Sequence, residues 1–268
     1  MITYPNAKIN LGLNIQVKRP DGYHDIESVL YPVPLCDALG IIIADDNKFS
    51  FESSGLNIGC DDTDNLCVKA YRLLLQHYDL PPVKMKLRKV IPSGAGLGGG
   101  SADAAFALRM LNEIFNLRLE NMELKELAAK LGMDCPFFID NIPALATGRG
   151  DILTPIGINL SSHTICIAVP AIHISTAHAF AGATPHTGEP SPAELTGFSP
   201  LTWKGILKNQ FEETLFPVYP ILEGLKTSFY DSGALYASLS GSGSAVYGIF
   251  ASPPKLKFEE IFYWEREL

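Results

Sequence analysis

The segment Ile91-Pro-Ser-Gly-Ala-Gly-Leu-Gly-Gly-Gly-Ser101 constrains this chain more than any other stretch. Glycine occupies positions 94, 96, 98, 99 and 100, so little but backbone is presented there. Ahead of it, Val83, Met85 and Leu87 alternate with Lys84, Lys86 and Arg88, the pattern of a half-buried strand over 83–90. Behind it, Ala104, Leu108, Leu111 and Phe115 recur at i, i+4, i+7 and i+11 and share one helix face. A glycine loop that opens on a helix N-terminus is a natural anion site. Free N–H groups point outward, the helix dipole favours negative charge, and missing Cβ atoms let phosphate oxygens reach the backbone. A linker would not run into an amphipathic helix in this way. The loop is not a P-loop, because Gly99-Gly100-Ser101 has no lysine. Nor is it a dinucleotide fingerprint, which needs a following strand with an acidic end. Here the chain continues into Glu120-Asn-Met-Glu-Leu-Lys-Glu-Leu-Ala, another helical stretch.

The other elements are read the same way. Leu11, Leu13, Ile15 and Val17 alternate into a strand over 7–17, and Ile26 to Val33 reads as its hairpin partner across Asp21-Gly22. Strands are expected at 38–44, 48–52, 164–169, 235–239 and 245–250, and helices at 65–77, 121–131 and 219–230. Four prolines among Gly, Ser and Thr mark 182–200 as a long exposed loop. The elements interleave without a strict βαβ rhythm, so the fold class is α+β. With 268 residues, 47% of them apolar, the chain is long enough for one large or two modest domains, and a boundary is expected near residue 155.

Charge and cysteines narrow the function classes. The net charge is −8 and no basic run occurs, so no nucleic-acid partner is expected. Cys36, Cys60, Cys67, Cys135 and Cys166 show no CxxC pair or regular spacing, which reads as reduced thiols in a cytoplasmic protein. No basic and apolar leader opens the chain and no run of about 18 apolar residues exists, so neither a signal peptide nor a membrane span is expected.

Several polar residues stand where chemistry needs them. Lys8 and Asn10 lie two apart on a predicted strand, so both side chains leave one face; together they suit a hydroxyl and a phosphate, or simply end a strand in solvent. Asp134 follows Leu131-Gly132-Met133 and precedes apolar Pro136-Phe137-Phe138, as a turn residue or as a carboxylate that takes a proton from an attacking hydroxyl. Tyr23 and His24 offer a ring face and a hydrogen-bonding edge suited to a polar heterocycle, or form an ordinary exposed turn.

Taken together these motifs resemble the GHMP kinases. The loop Pro92 to Ser101 fits the family's phosphate loop, Gly132-Met-Asp134-Cys-Pro136 its proposed base motif, and Ser240-Gly-Ser-Gly243 its C-terminal glycine motif. Pro5-Asn-Ala-Lys8-Ile-Asn10-Leu, Arg19-Pro-Asp-Gly-Tyr23-His24 and Gly98-Gly-Gly-Ser101 resemble one branch, whose alcohol substrate carries a cytidine diphosphate. The resemblance runs in order from residue 5 to about residue 250.

The resemblance implies a two-domain GHMP kinase fold: an ATP-binding domain over 1–155 and a domain over 156–268 that contributes to the substrate site. It implies ATP and Mg²⁺ as cofactors, Asp134 as base and Lys8 as its catalytic partner. Pro92, Ser93, Gly94, Ala95, Gly96, Leu97, Gly98, Gly99, Gly100 and Ser101 would hold ATP phosphates, with Asn65 and Lys89 near adenine and ribose. From residue type alone, Asn65 is equally a helix cap and Lys89 a solvated strand residue. Asn10, Tyr23, His24, Thr176 and Phe180 would hold the alcohol, with Phe180 stacking on the base opposite Tyr23. The partners implied are small molecules only, for a monomer or homodimer. The rivals are a GHMP kinase of homoserine or mevalonate type, which lacks a base to stack, and a nucleotide-binding protein without turnover. One departure stands out: the branch usually has a second serine after Ser101, and this chain has Ala102, which leaves the metal ligands open. Asp103, one residue on, reads as a first-turn acid that compensates the helix dipole or reaches a metal through water.

Overall fold

The computed structural model describes residues 1–59, 61–185 and 190–268. In chain order the elements are β1 (Ile2–Thr3), β2 (Asn6–Lys18), β3 (His24–Cys36), β4 (Ala38–Ile43), β5 (Ser50–Gly55), α1 (Leu66–Leu75) and β6 (Val83–Lys89). Then come α2 (Gly99–Ile114), α3 (Asn121–Ala129), α4 (Phe137–Asp140), β7 (Ala144–Thr147), β8 (Ile152–Pro155) and β9 (Thr164–Val169). The chain closes with α5 (Thr176–Gly182), α6 (Pro192–Thr196), α7 (Phe211–Val218), α8 (Pro220–Asp231), β10 (Tyr236–Leu239), β11 (Val246–Phe250) and β12 (Phe262–Glu267).

Two compact units are present, and both are discontinuous in sequence. The first comprises Met1–Ala7, Leu35–Ser93 and Gly98–Ile142, and the second Lys8–Pro34, Gly94–Leu97 and Pro143–Leu268. The glycine loop is thus shared, with residues 94–97 counted in one and residue 98 onward in the other.

The first unit holds a four-stranded sheet in the order β1-β4-β6-β5. β4 and β6 are antiparallel, while β5 and β6 run parallel and are joined through α1, a single β-α-β crossover. The alternation seen in the sequence is realised in β6, where Val83, Met85 and Leu87 are buried and Arg88 is exposed. Ala104, Leu108 and Leu111 are buried on α2 as expected. Ala102, Ala105, Ala107 and Met110 are buried too. The alanines make α2 thin enough for α1, α3 and α4 to pack around it, so it is a core helix rather than a one-faced one.

The second unit contains two sheets, β2-β3-β7-β8 and β10-β11-β9-β12. β9 sits inside the latter, buried at all six positions, with β11 and β12 antiparallel on either side. Its core joins Cys166 and Ala168 to Phe211, Leu222, Phe229, Val246 and Phe250 from the helices and strands around it. The expected loop over 182–200 is corrected in its described part. Ser191 caps α6 and Pro192 opens it, the pairing that starts helices, and Pro192 and Thr196 are buried. Residues 186–189 of that stretch, and Cys60, lie outside the described residues. β1, α4, β7, β8, α5, α7 and β12 have no counterpart in the sequence reading. Among the described residues Cys36, Cys67, Cys135 and Cys166 are free thiols, and no helix is long and apolar enough to cross a membrane.

Candidate active site

The glycine loop is held by its carbonyls. Within the second unit, the carbonyl of Ala95 accepts from Ala245 N–H at 3.0 Å and that of Leu97 from Lys8 N–H at 2.9 Å. The Gly96 carbonyl accepts from the Ser240 hydroxyl at 2.9 Å. Each peptide is planar, so the N–H across each of these bonds, at Gly96, Leu97 and Gly98, points the opposite way, clear of the clamp. Ala95 and Leu97 are buried anchors, while Ser93, Gly94 and Gly100 are exposed. Gly94, Gly96 and Gly98 have φ of +68°, +78° and +70°, a conformation that L side chains rarely adopt. At Gly96 the need is steric as well: a Cβ would lie 2.0 Å from the Ser240 carbonyl oxygen. Gly98 then caps α2, whose N-terminus carries no side-chain cap, so its first amides have no partner within the helix. The C-terminal glycine motif Ser240–Gly243 is therefore one jaw of the clamp.

Lys8 and Asn10 share one face of β2, as their spacing requires, and both side chains are buried at 3% exposure, so the solvated strand end is corrected. The Lys8 ammonium donates to Asn10 Oδ1 at 2.6 Å, and Asn10 Nδ2 donates to the Ser28 hydroxyl at 2.8 Å. Burial follows from β2 being an interior run, buried from Asn6 to Ile15.

Asp134 stands in the turn between α3 and α4. Within the first unit that turn meets the start of α2. The Ser101 hydroxyl bonds to the Cys135 thiol, while burial pushes that thiol up to about 12. The Asp134 carboxylate is thus presented by a turn docked at the glycine-rich helix N-terminus.

Lys89 and Asn65 are both buried and engaged with neighbours in the first unit. The Lys89 ammonium is buried between Asp37 and Asp103, the latter at 2.7 Å. Asp37 also accepts from the N–H groups of Val90 and Ile91, at 2.5 and 2.9 Å, which fixes the strand end that feeds the loop. The solvated-strand reading of Lys89 is corrected: its charge is spent on this triad. Asp103 is corrected as well, being 3% exposed and turned to Lys89 rather than standing on the helix surface. Burial raises the Asp103 carboxyl to about 7, against the pull of Lys89. Asn65 is the helix cap that its type allowed, with Oδ1 accepting from Cys67 N–H at 2.9 Å.

The hairpin tip carries rings. In the second unit His24 is buried and stacked on Phe180, and Phe180 also meets Phe211 edge-on at 4.9 Å. Desolvation, with Lys18 nearby, lowers the His24 pKa and keeps the imidazole neutral. Tyr23 is 51% exposed with the Arg149 guanidinium 5.4 Å from its ring centre. Thr176 opens α5, its hydroxyl 3.3 Å from that of Ser242 in the glycine turn. A Cβ on Gly94 would stand 3.3 Å from the His173 ring, so His173 lines the loop. Sequence reasoning missed Arg149, His173, Asp37 and Ser28. Only Asp37 carried a signal, an acid between Cys36 and Ala38 at a strand junction.

The chain matches the model of the GHMP kinases N terminal domain over residues 65–146 and that of the GHMP kinases C terminal over residues 200–259. It is 50% identical over 273 residues to a 4-diphosphocytidyl-2-C-methyl-D-erythritol kinase of Bacteroides fragilis, covering 100% of both chains. The chain belongs to the GHMP kinase family. A Porphyromonas gingivalis relative of the same name is 46% identical and covers 99% of this chain and 98% of its own length. Among solved structures, a 4-(cytidine 5'-diphospho)-2C-methyl-D-erythritol kinase superposes with a TM-score of 0.78 at 29% identity, covering 93% of this chain and 90% of the other. The Methanococcus jannaschii mevalonate kinase shares the fold, with a TM-score of 0.72 at 13% identity over 100% of this chain and 98% of its own.

Proposed function

We propose that this chain moves the γ-phosphoryl group of ATP to the 2-hydroxyl of 4-diphosphocytidyl-2-C-methyl-D-erythritol, giving the 2-phosphate and ADP, a step of the non-mevalonate isoprenoid route. It is an ATP-dependent small-molecule kinase. The observation that carries the phosphate half of the reading is the clamped loop, whose carbonyls are tied back and whose amides face away. The hairpin-tip rings support the cytidine half, since a small aliphatic alcohol has no ring to stack on Tyr23 or His24.

The residues take these parts. Asp134 accepts the proton of the attacking hydroxyl, and Lys8 orients that hydroxyl and steadies developing charge. The backbone of Gly94 to Gly100, with Ser101, holds the phosphates. Positioning and electrostatics carry the rate, because phosphoryl transfer asks little covalent work of the protein. Mg²⁺ prefers hard oxygen donors and keeps phosphate and water ligands, so it needs few donors from the protein. Ser101, in the first turn of α2, is a donor of that kind, whereas Asp103 is committed to Lys89. When bound, the ion neutralises phosphate charge. Among the described residues no group of three His, Cys, Asp or Glu forms an all-protein metal cage.

The test is Asp134→Asn. It should fold and bind ATP yet lose roughly 10²-fold or more in kcat, the usual cost of removing a general base. A near-normal kcat would remove Asp134 from that part.

A further inference from the structure

We propose that Ser28 is a positioning residue for Lys8, acting through Asn10; this rests on the catalytic part given to Lys8 above. Ser28 stands on β3 and is completely buried. Its hydroxyl donates to the Gly12 carbonyl at 2.6 Å. Gly12 has φ +70°, and a Cβ there would lie 2.4 Å from Leu207 Cδ1, so only glycine sets this carbonyl in place.

With its one proton committed to Gly12, the Ser28 oxygen faces Asn10 only as an acceptor. Asn10 Nδ2 donates to it at 2.8 Å. That fixes which end of the amide faces Lys8: the ammonium meets Oδ1, at 2.6 Å. A flipped amide would set N–H groups against the ammonium and Oδ1 against the Ser28 oxygen, two repulsive contacts in a buried place. The main chain of Asn10 is held as well, its carbonyl accepting from the Tyr247 hydroxyl at 2.7 Å. Donors thus run one way, Lys8 to Asn10 to Ser28 to Gly12, within the second unit. The chain begins at the ammonium assigned to the reacting hydroxyl and ends on backbone.

Removing the Ser28 hydroxyl should release the amide and loosen the hydrogen bond that it offers the ammonium. Ser28→Ala should lower kcat about tenfold, the worth of roughly one net hydrogen bond, with the ATP KM unchanged. Ser28→Thr, which keeps the hydroxyl, should restore the rate. If Ser28→Ala does not fold, Ser28→Cys replaces it, since a thiol is a weak donor of similar size, and the same fall is expected. The deciding measurement is kcat of Lys8→Ala, Ser28→Ala and the double variant. If Ser28 acts through Lys8, the double variant is no slower than Lys8→Ala. Rates that multiply, a normal kcat in Ser28→Ala, or a Thr variant as slow as the Ala variant would overturn the proposal. A normal kcat in Lys8→Ala would instead overturn the part given to Lys8, and the two failures are told apart by that single variant.

Discussion

The imidazole of His24 lies flat on the ring of Phe180, with centroids 4.9 Å apart and planes 12° from parallel. The family resemblance implies that Phe180 stacks on a base opposite Tyr23. In the structure one face of Phe180 belongs to His24, and Phe211 meets it edge-on. Phe180 thereby holds His24, the ring whose hydrogen-bonding edge suits a polar heterocycle. Phe180→Ala and His24→Ala should then cost similar affinity for the cytidylated alcohol, about 1–3 kcal/mol each, the usual cost of leaving a buried polar partner unpaired. The double variant should lose little more than either. Calorimetric titration with that alcohol and with ATP checks this, and fully additive losses, or equal losses for ATP, would count against it.

The clamp on the glycine loop makes a backbone prediction. Gly96→Ala would drive a Cβ to 2.0 Å from the Ser240 carbonyl oxygen at a φ of +78°. The ATP KM should rise roughly tenfold or more, in keeping with 1–3 kcal/mol of backbone strain. Gly157→Ala is the control, since its Cβ would meet nothing within 4 Å. An unchanged ATP KM in Gly96→Ala would show that the clamp does not shape the phosphate site.

The triad of Lys89, Asp37 and Asp103 has a pH signature. Burial lifts the Asp103 carboxyl to about 7, and its Oδ1 is buried without a hydrogen-bond partner among the described residues. Lys89, Asp37 and the buried Cys67 thiol face it, and the lysine pulls the other way. A carboxyl whose folded pKa exceeds its unfolded value of about 4 holds its proton longer in the folded state. Its contribution to stability is therefore full at low pH and declines as pH rises from about 4 towards 7. Asp103→Asn removes this titration, so the variant should lose the decline. Denaturant unfolding at pH 5 and pH 7.5 measures it; the same change in both proteins would refute the placement of Asp103.

Much of this was legible in the sequence because the relevant signals are local. Alternation fixed β6, the glycine run fixed the loop, and the spacing of Lys8 and Asn10 placed both on one face. The rest depends on partners far away in the chain. Lys89 reads as solvated until Asp37, 52 residues earlier, is brought to it by the β4-β6 pairing. Ser28 looks like any strand serine until Gly12 turns its carbonyl inward. The helix after Ser191 lay hidden because prolines read as loop, although proline at a first helical position is favourable.

The central claim is tested most directly by ADP release from ATP, coupled to a dye and run in parallel with four alcohols. These are 4-diphosphocytidyl-2-C-methyl-D-erythritol, its uridine counterpart, homoserine and mevalonate. The account predicts rapid turnover with the cytidylated alcohol, a weak response to the uridine form and none above background with the other two, with phosphate found on the 2-hydroxyl. Faster turnover with homoserine or mevalonate, or no ADP release with any of the four, would contradict it.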